Sequence, residues 1–104
     1  MTSSANPLRG ELAFRVGGED FILRPSFEAL VAAEQEVGSL FALVERAAEG
    51  SLTLAEITAL LWHCMAHDTR PARDTLGEAI LNSGLVEATK PIRAILTEVL
   101  QGRQ

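Results

Sequence analysis

The spacing of apolar residues changes once along this chain, at Pro25, and this change constrains the fold more than any other feature. Before the proline, Leu12, Phe14 and Val16 alternate with polar or small residues, which is typical of a half-buried strand. After it, apolar residues recur every three or four positions, which is the period of amphipathic helices. The sequence therefore predicts an α+β, mainly α fold, with an N-terminal β-hairpin followed by about five short helices in one compact domain.

The hairpin is predicted over residues 10–24, behind a lead-in over residues 1–8 that we expect to be flexible. Gly17 and Gly18 supply the positive φ angles that a tight hairpin turn requires. Because a two-stranded hairpin is only marginally stable by itself, we expect its apolar face to lie on the helices. Residues 1–104 are too few for two independent cores, so the chain is expected to form a single domain.

Helix signals fill residues 26–101. Ser26 is the predicted N-cap of the first helix, and Gly38 is the residue at which that helix is expected to stop. Ser39 begins the second predicted helix, and Gly50 ends it. These caps divide the first part of the helical region into two short helices.

Two further segments match the capping box, in which a Thr hydroxyl and a Glu carboxylate three residues later each satisfy an unpaired backbone N–H. The first box, residues 53–56, predicts a third helix that runs to about residue 66 or 67. The second box, residues 75–78, predicts a fourth helix over residues 76–82.

The last predicted helix covers residues 85–100 and contains Pro91. Because proline lacks a backbone N–H and clashes with the preceding turn, the sequence predicts either one kinked helix or two separate pieces. Leu96 and Leu100 lie beside the apolar stripe of this helix and widen it, which makes them candidates for packing on a second subunit or a partner helix. The stripe itself consists of Leu85, Ala88, Ile92, Ile95 and Val99.

Charge and composition exclude several classes of partner. Nine Lys and Arg residues against 14 Asp and Glu residues give a net charge of −5, and no basic run occurs. Proteins that bind nucleic acids or anionic membranes carry basic surfaces, so we expect neither partner. A single cysteine and a polar start without a hydrophobic leader favour a cytoplasmic protein without an internal disulfide.

The densest cluster of reactive side chains follows Trp62. His63 and His67 are four residues apart, and Cys64 lies between them, so a helix would place zinc ligands on one face. We favour the interpretation in which Cys64 belongs to the apolar stripe of the third helix, because the remaining ligands have no second cluster to come from. A small metal-binding domain built on His63, Cys64 and His67 remains the alternative, but the sequence predicts no catalytic, cofactor-binding or metal-binding residue and no enzyme activity.

Trp62 and Met65 lie beside the apolar stripe of the third helix. Tryptophan and methionine are enriched at protein–protein contacts, so these two residues are candidates for binding a partner. The alternative is that Trp62 packs beneath the hairpin as a second side of the core.

Several short segments, taken in order along the chain, are similar to one known family. They are Asn-Pro-Leu-Arg-Gly-Glu at 6–11, Gly-Gly-Glu in the hairpin, Leu-Arg-Pro-Ser-Phe-Glu-Ala-Leu at 23–30, Gly-Ser-Leu at 38–40, Trp-His-Cys at 62–64, Leu-Gly-Glu-Ala-Ile at 76–80 and Gly-Leu at 84–85. The chain resembles the small tail protein of gene transfer agents and prophages, which has been described both as a tail tube protein and as a tail assembly chaperone. Pro91 has no counterpart that we can place in the pattern of this family.

The resemblance implies a non-enzymatic role in assembling a phage-like tail. As a chaperone or adaptor, the protein would bind the tape measure protein or other tail proteins in the cytoplasm of the bacterial cell that produces the particles. As a structural subunit of the tail tube, it would instead form a homo-oligomer and be associated with the virion. The resemblance transfers no individual site residue.

Overall fold

The computed structural model describes residues 11–16, 18–65 and 70–102, and within these ranges it contains two strands followed by five helices. The strands and helices are β1 (Leu12–Val16), β2 (Glu19–Leu23), α1 (Phe27–Val37), α2 (Leu40–Glu49), α3 (Leu54–Cys64), α4 (Arg73–Ser83) and α5 (Leu85–Gln101). The predicted order of a hairpin followed by helices is confirmed. The lead-in predicted over residues 1–8 lies outside the described residues.

The hairpin lies on the helices, as its marginal stability requires. β1 and β2 pair antiparallel, with Leu12 opposite Leu23 and Phe14 opposite Phe21. Phe14 and Leu23 are buried in the core, and β1 packs against α4 and α5. Gly18 has the positive φ of 81° that the predicted turn needs, while the other glycine of that turn is outside the described residues.

α3 occupies the centre of the molecule and contacts α1, α4 and α5. Its buried residues surround the helix instead of following a single stripe, which is typical of a central helix. They are Ile57, Thr58, Ala59, Leu60, Leu61 and Cys64. Consequently, the other helices each need to bury only one side against it.

The capping predictions hold for the first three helices. Ser26 Oγ accepts a hydrogen bond from the Ala29 N–H, and Ser39 Oγ accepts one from the Phe41 N–H. The capping box at residues 53–56 is complete, since both of its side chain–backbone hydrogen bonds are present. Short-range hydrogen bonds of this kind depend only on nearby residues, so the sequence predicts them well.

The end of α3 differs from the prediction. The helix ends at Cys64 instead of residue 66 or 67, because Met65 becomes extended and forms a β-bridge with Leu23. The Arg24 N–H donates to the Cys64 carbonyl oxygen at 2.7 Å and extends this pairing. The edge of the hairpin therefore terminates α3 through a contact between residues about 40 positions apart in the sequence, which the helical period does not reveal.

The predicted start of α4 is also wrong. The helix begins at Arg73, with Ala72 in the N-cap position and no side-chain cap. Thr75 therefore lies inside the helix, and the capping box predicted over residues 75–78 does not form. Contacts of Pro71 and Arg73 with α3 and α1, described below, position the first turn of α4 instead.

α5 is one continuous helix with Pro91 inside it, so the alternative of two separate pieces is wrong. Ala88, Ile92 and Ile95 of the predicted stripe are buried, and so is Leu96, which the sequence placed beside the stripe. Leu85 and Val99, the two ends of that stripe, are exposed. Hence the buried face of α5 is rotated towards Leu96 near its C-terminal end.

Candidate partner-binding surfaces

Trp62 joins the end of α3 to the start of α4. Its indole Nε1 donates a hydrogen bond to the Pro71 carbonyl oxygen at 2.9 Å. The guanidinium carbons of Arg70 and Arg73 lie 4.1 and 4.3 Å from the centroid of the indole ring. A guanidinium this close to an aromatic ring is attracted by the negative charge density of the ring face. Trp62 therefore holds Arg70 and Pro71, the residues just before α4, against the end of α3.

Arg70 also satisfies the open end of α3. Its Nη2 donates to the carbonyl oxygens of His63 and Met65, both at 3.1 Å. The last carbonyls of a helix have no partner within the helix, so a cationic donor in this position stabilises the terminus. The same side chain thus caps α3 and covers Trp62.

Glu36 connects three helices through its carboxylate. Arg73 donates to both carboxylate oxygens of Glu36, at 2.6 and 3.1 Å, and His63 Nε2 lies 2.8 Å from Oε1. The hydrogen bonds from Arg73 and His63 lower the pKa of Glu36 to about 2. As a result, α1, α3 and α4 meet at a single ionised side chain.

The zinc alternative has little support from the described part of the chain. Cys64 is 1% exposed in the core, where burial raises the pKa of its thiol to about 12. His63 is already engaged with Glu36, and His67 lies outside the described residues. Among the residues that the structure describes, no group of three or more His, Cys, Asp or Glu side chains is arranged to hold a metal. The interpretation of Cys64 as a core residue is confirmed.

An open groove of about 630 Å³ lies between α1 and the C-terminal end of α3, and we call it the Trp62 groove. Its lining consists of Arg24, Ser26, Glu28, Ala29, Ala32, Trp62, His63, Cys64, Met65 and Arg70. Small and apolar side chains form its floor, where Met65 and Cys64 are buried. Arg24 and Arg70 lie on its rim together with Glu28, and Arg24 also pairs with Glu11.

A second groove, of about 350 Å³, lies between α2 and α5. We call the surface around it the α2–α5 face and define it by Phe41, Glu45, Ala48, Glu49, Arg93, Thr97 and Leu100. Leu96 is buried at the floor of this groove, whereas Leu100 is 51% exposed. Phe41 is 74% exposed and lies one helical turn before Val44 and Glu45.

The four residues that the sequence offered as partner-binding candidates divide between the two grooves. Trp62 and Met65 line the first, and Leu96 and Leu100 line the second. Met65 and Leu96 are buried, so each contributes only to the floor of its groove. The sequence patterns did not single out Phe41, although it is a large apolar residue beside the stripe of Leu40 and Leu43, which was an available signal.

The sequence also did not identify the arginines around Trp62. Arg70 and Arg73 belong to a polar break between predicted helices, where charged residues are usually assumed to be solvated. Their packing on the indole becomes apparent only from the structure.

No helix in the described ranges has both the length and the apolar character that a membrane span requires. The partner-binding candidates line the two grooves described above, and the charged cluster around Trp62 is engaged in holding helices together. Binding of other proteins is the chemistry that such surfaces support.

Comparison with known proteins places the chain in a family. A family model described as phage tail tube protein, GTA-gp10, matches residues 9–102. Searches of curated proteins and of solved structures gave no match. Since the family model matches nearly the whole chain, the protein belongs to the GTA-gp10 family of phage tail tube proteins.

Proposed function

We propose that this protein is a non-enzymatic tail assembly chaperone or adaptor that binds the tape measure protein through the Trp62 groove. Membership of a phage tail family supports association with other tail proteins. The observation that carries the proposal is the Trp62 groove itself, an open trough with an apolar floor and an arginine rim. Binding would take place in the cytoplasm of the producing cell, before the tail is complete.

The shape and charge of the groove fit an amphipathic helix. Ala29 and Ala32 present small side chains on α1, so the backbone of a partner helix can approach closely. Apolar side chains of the partner would cover this floor, and the removal of apolar surface from water would supply the affinity. Acidic residues on the partner would meet Arg24 and Arg70 at the rim and a basic residue would meet Glu28, which favours one orientation of the bound helix.

Co-expression with the tape measure protein tests this proposal. We expect the wild-type chain to co-purify with the tape measure protein and to increase its soluble fraction. Ala32→Glu places a charge in the apolar floor and should weaken co-purification by about tenfold or more. Ala55→Glu, at an exposed position in the first turn of α3, is the matched control and should leave binding unchanged.

Two outcomes would contradict the proposal at different levels. If the wild-type chain neither co-purifies with the tape measure protein nor solubilises it, the chaperone role is wrong. If Ala32→Glu binds as well as Ala55→Glu, the chaperone role stands, but binding occurs elsewhere than the Trp62 groove.

A structural subunit of the tail tube is the second candidate, and the description of the family favours it. A tube subunit must associate with copies of itself in rings, and tube walls are commonly built from sheets. The described residues contain one two-stranded sheet, formed by β1 and β2, and most of the remainder is helical. Detection of the chain as an abundant component of purified particles would support the tube role over the chaperone role.

A further inference from the structure

The α2–α5 face has an apolar end and a charged middle. Val44 and Ala48 line one groove together with Arg93 and Leu100, while Gly50 lines a neighbouring groove with the start of α5. The two helices therefore run antiparallel. This direction places Phe41, at the start of α2, at the same end of the face as Leu100.

The charged side chains in the middle of the face have no partner within the described part of the chain. Glu45 and Glu49 are exposed on α2, one turn apart, and the small residue Ala48 lies between them. Arg93 is exposed on α5 at the same level as Ala48. None of the three charged residues forms an ion pair or a side-chain hydrogen bond with another described residue.

We propose that the α2–α5 face is the interface of a two-fold symmetric dimer of this chain. In the dimer, α2 of each copy packs against α5 of the other, with the symmetry axis parallel to the helices. Phe41 then meets Leu100 of the second copy. Arg93 of the second copy enters the space above Ala48, between Glu45 and Glu49. Two-fold symmetry makes each of these contacts twice.

Self-complementarity is the reason to assign a second copy to this face. The acidic and basic halves lie on different helices at the same level, and the two apolar residues lie at the same end. A second copy rotated about the proposed axis brings opposite charges and apolar side chains together at every level. A different protein would match this face only if it carried the same arrangement of acidic, basic and apolar residues on its own surface.

The interface is separate from the Trp62 groove, because the residues lining the two grooves do not overlap. Dimerisation therefore does not depend on the proposed chaperone role. The closed dimer also differs from a tube ring, which requires a head-to-tail contact between different surfaces of adjacent subunits.

Sedimentation equilibrium of the purified full chain tests the proposal. We expect a reversible equilibrium between a species of 11.2 kDa and one of twice that mass. Phe41→Glu should weaken the dimer by about a hundredfold or more, since it removes two apolar contacts from the interface. Phe27→Glu is the matched control, because Phe27 is 85% exposed at the start of α1 and lies on neither of the two helices that form the α2–α5 face.

Charge reversal tests the register of the two copies. Arg93→Glu places like charges opposite each other and should weaken the dimer by about tenfold. Combining Arg93→Glu with Glu45→Arg restores opposite charges, so the double variant should recover to within about threefold of wild type. Circular dichroism and thermal unfolding of each variant verify that the monomer is folded.

Four outcomes would overturn the proposal. The first is that the protein remains a monomer at all concentrations from micromolar to millimolar, even if Phe41 binds another tail protein. The second is an assembly larger than two copies. The third is an equal loss of association in Phe27→Glu and Phe41→Glu. The fourth is a failure of Glu45→Arg to restore association in the Arg93→Glu background.

Discussion

At the scale of single residues, the contacts of the Glu36 carboxylate explain how three helices are held together. Its carboxylate binds Arg73 through both oxygens and also contacts His63, so it connects three helices. An ionised carboxylate held by a planar guanidinium in this way forms strong, directional hydrogen bonds. The partners are 27 and 37 positions away in the sequence, which explains why residue patterns gave no indication of this cluster.

Glu36→Gln should destabilise the protein at neutral pH by about 1 kcal/mol, a figure reduced for solvent screening because the carboxylate is 40% exposed. The folded-state pKa of about 2 lies below the ordinary carboxyl pKa of 4.5, so this stabilisation is complete above pH 4.5 and is lost as the pH falls towards 2. Urea unfolding of both proteins across this pH range measures the difference.

The matched control is Glu78→Gln, at an exposed position on α4, which should change stability by less than about 0.5 kcal/mol. A stability difference between wild type and Glu36→Gln that stays constant from pH 7 to pH 2 would show that the ionised carboxylate is not the source.

At the scale of helices and strands, the sequence predicted the helix boundaries well except between α3 and α4. The N-caps Ser26, Ser39 and Thr53 were all predicted because each cap is a contact within three residues. The end of α3 was not predicted, because β2 pairs with Met65 and terminates the helix from a distance. Short-range signals therefore set the starts of the first three helices, and tertiary contacts set the boundary between α3 and α4.

The two capping boxes of the sequence provide a direct comparison. Thr53→Ala should destabilise the protein by about 1 kcal/mol, because it removes the side-chain acceptor for the Glu56 N–H. Thr75→Ala should leave stability unchanged or slightly raised, since Thr75 lies inside α4 and alanine has the higher helix propensity. Thermal and urea unfolding of the two variants distinguish them.

Glu56 adds a second reason to expect this asymmetry. Its carboxylate also pairs with Arg46, so the box at the start of α3 is tied to α2. A loss of stability in Thr75→Ala as large as that in Thr53→Ala would contradict the observed start of α4.

At the scale of the whole molecule, the sequence was enough to predict the fold class, but not how exposed each partner-binding candidate is. The change of apolar period at Pro25 was enough to predict a hairpin and then helices. Trp62, Met65, Leu96 and Leu100 all line grooves, yet two of them are buried. Exposure depends on how helices pack against each other, and a helical period locates a side chain only on its own helix.

The same limit applies to charge. The net charge of −5 correctly describes the composition, but it does not show the arginine rim of the Trp62 groove. Local charge, which the fold creates from distant residues, determines which partner a groove prefers.

We propose that this member of a phage tail family assists assembly and is not a building block of the finished tail. Quantitative mass spectrometry of purified particles and of the cells that produce them tests this claim most directly. We expect the chain to be abundant in the cells, where it is bound to the tape measure protein, and absent from purified particles. Many copies per particle, at the stoichiometry of a tube subunit, would contradict it.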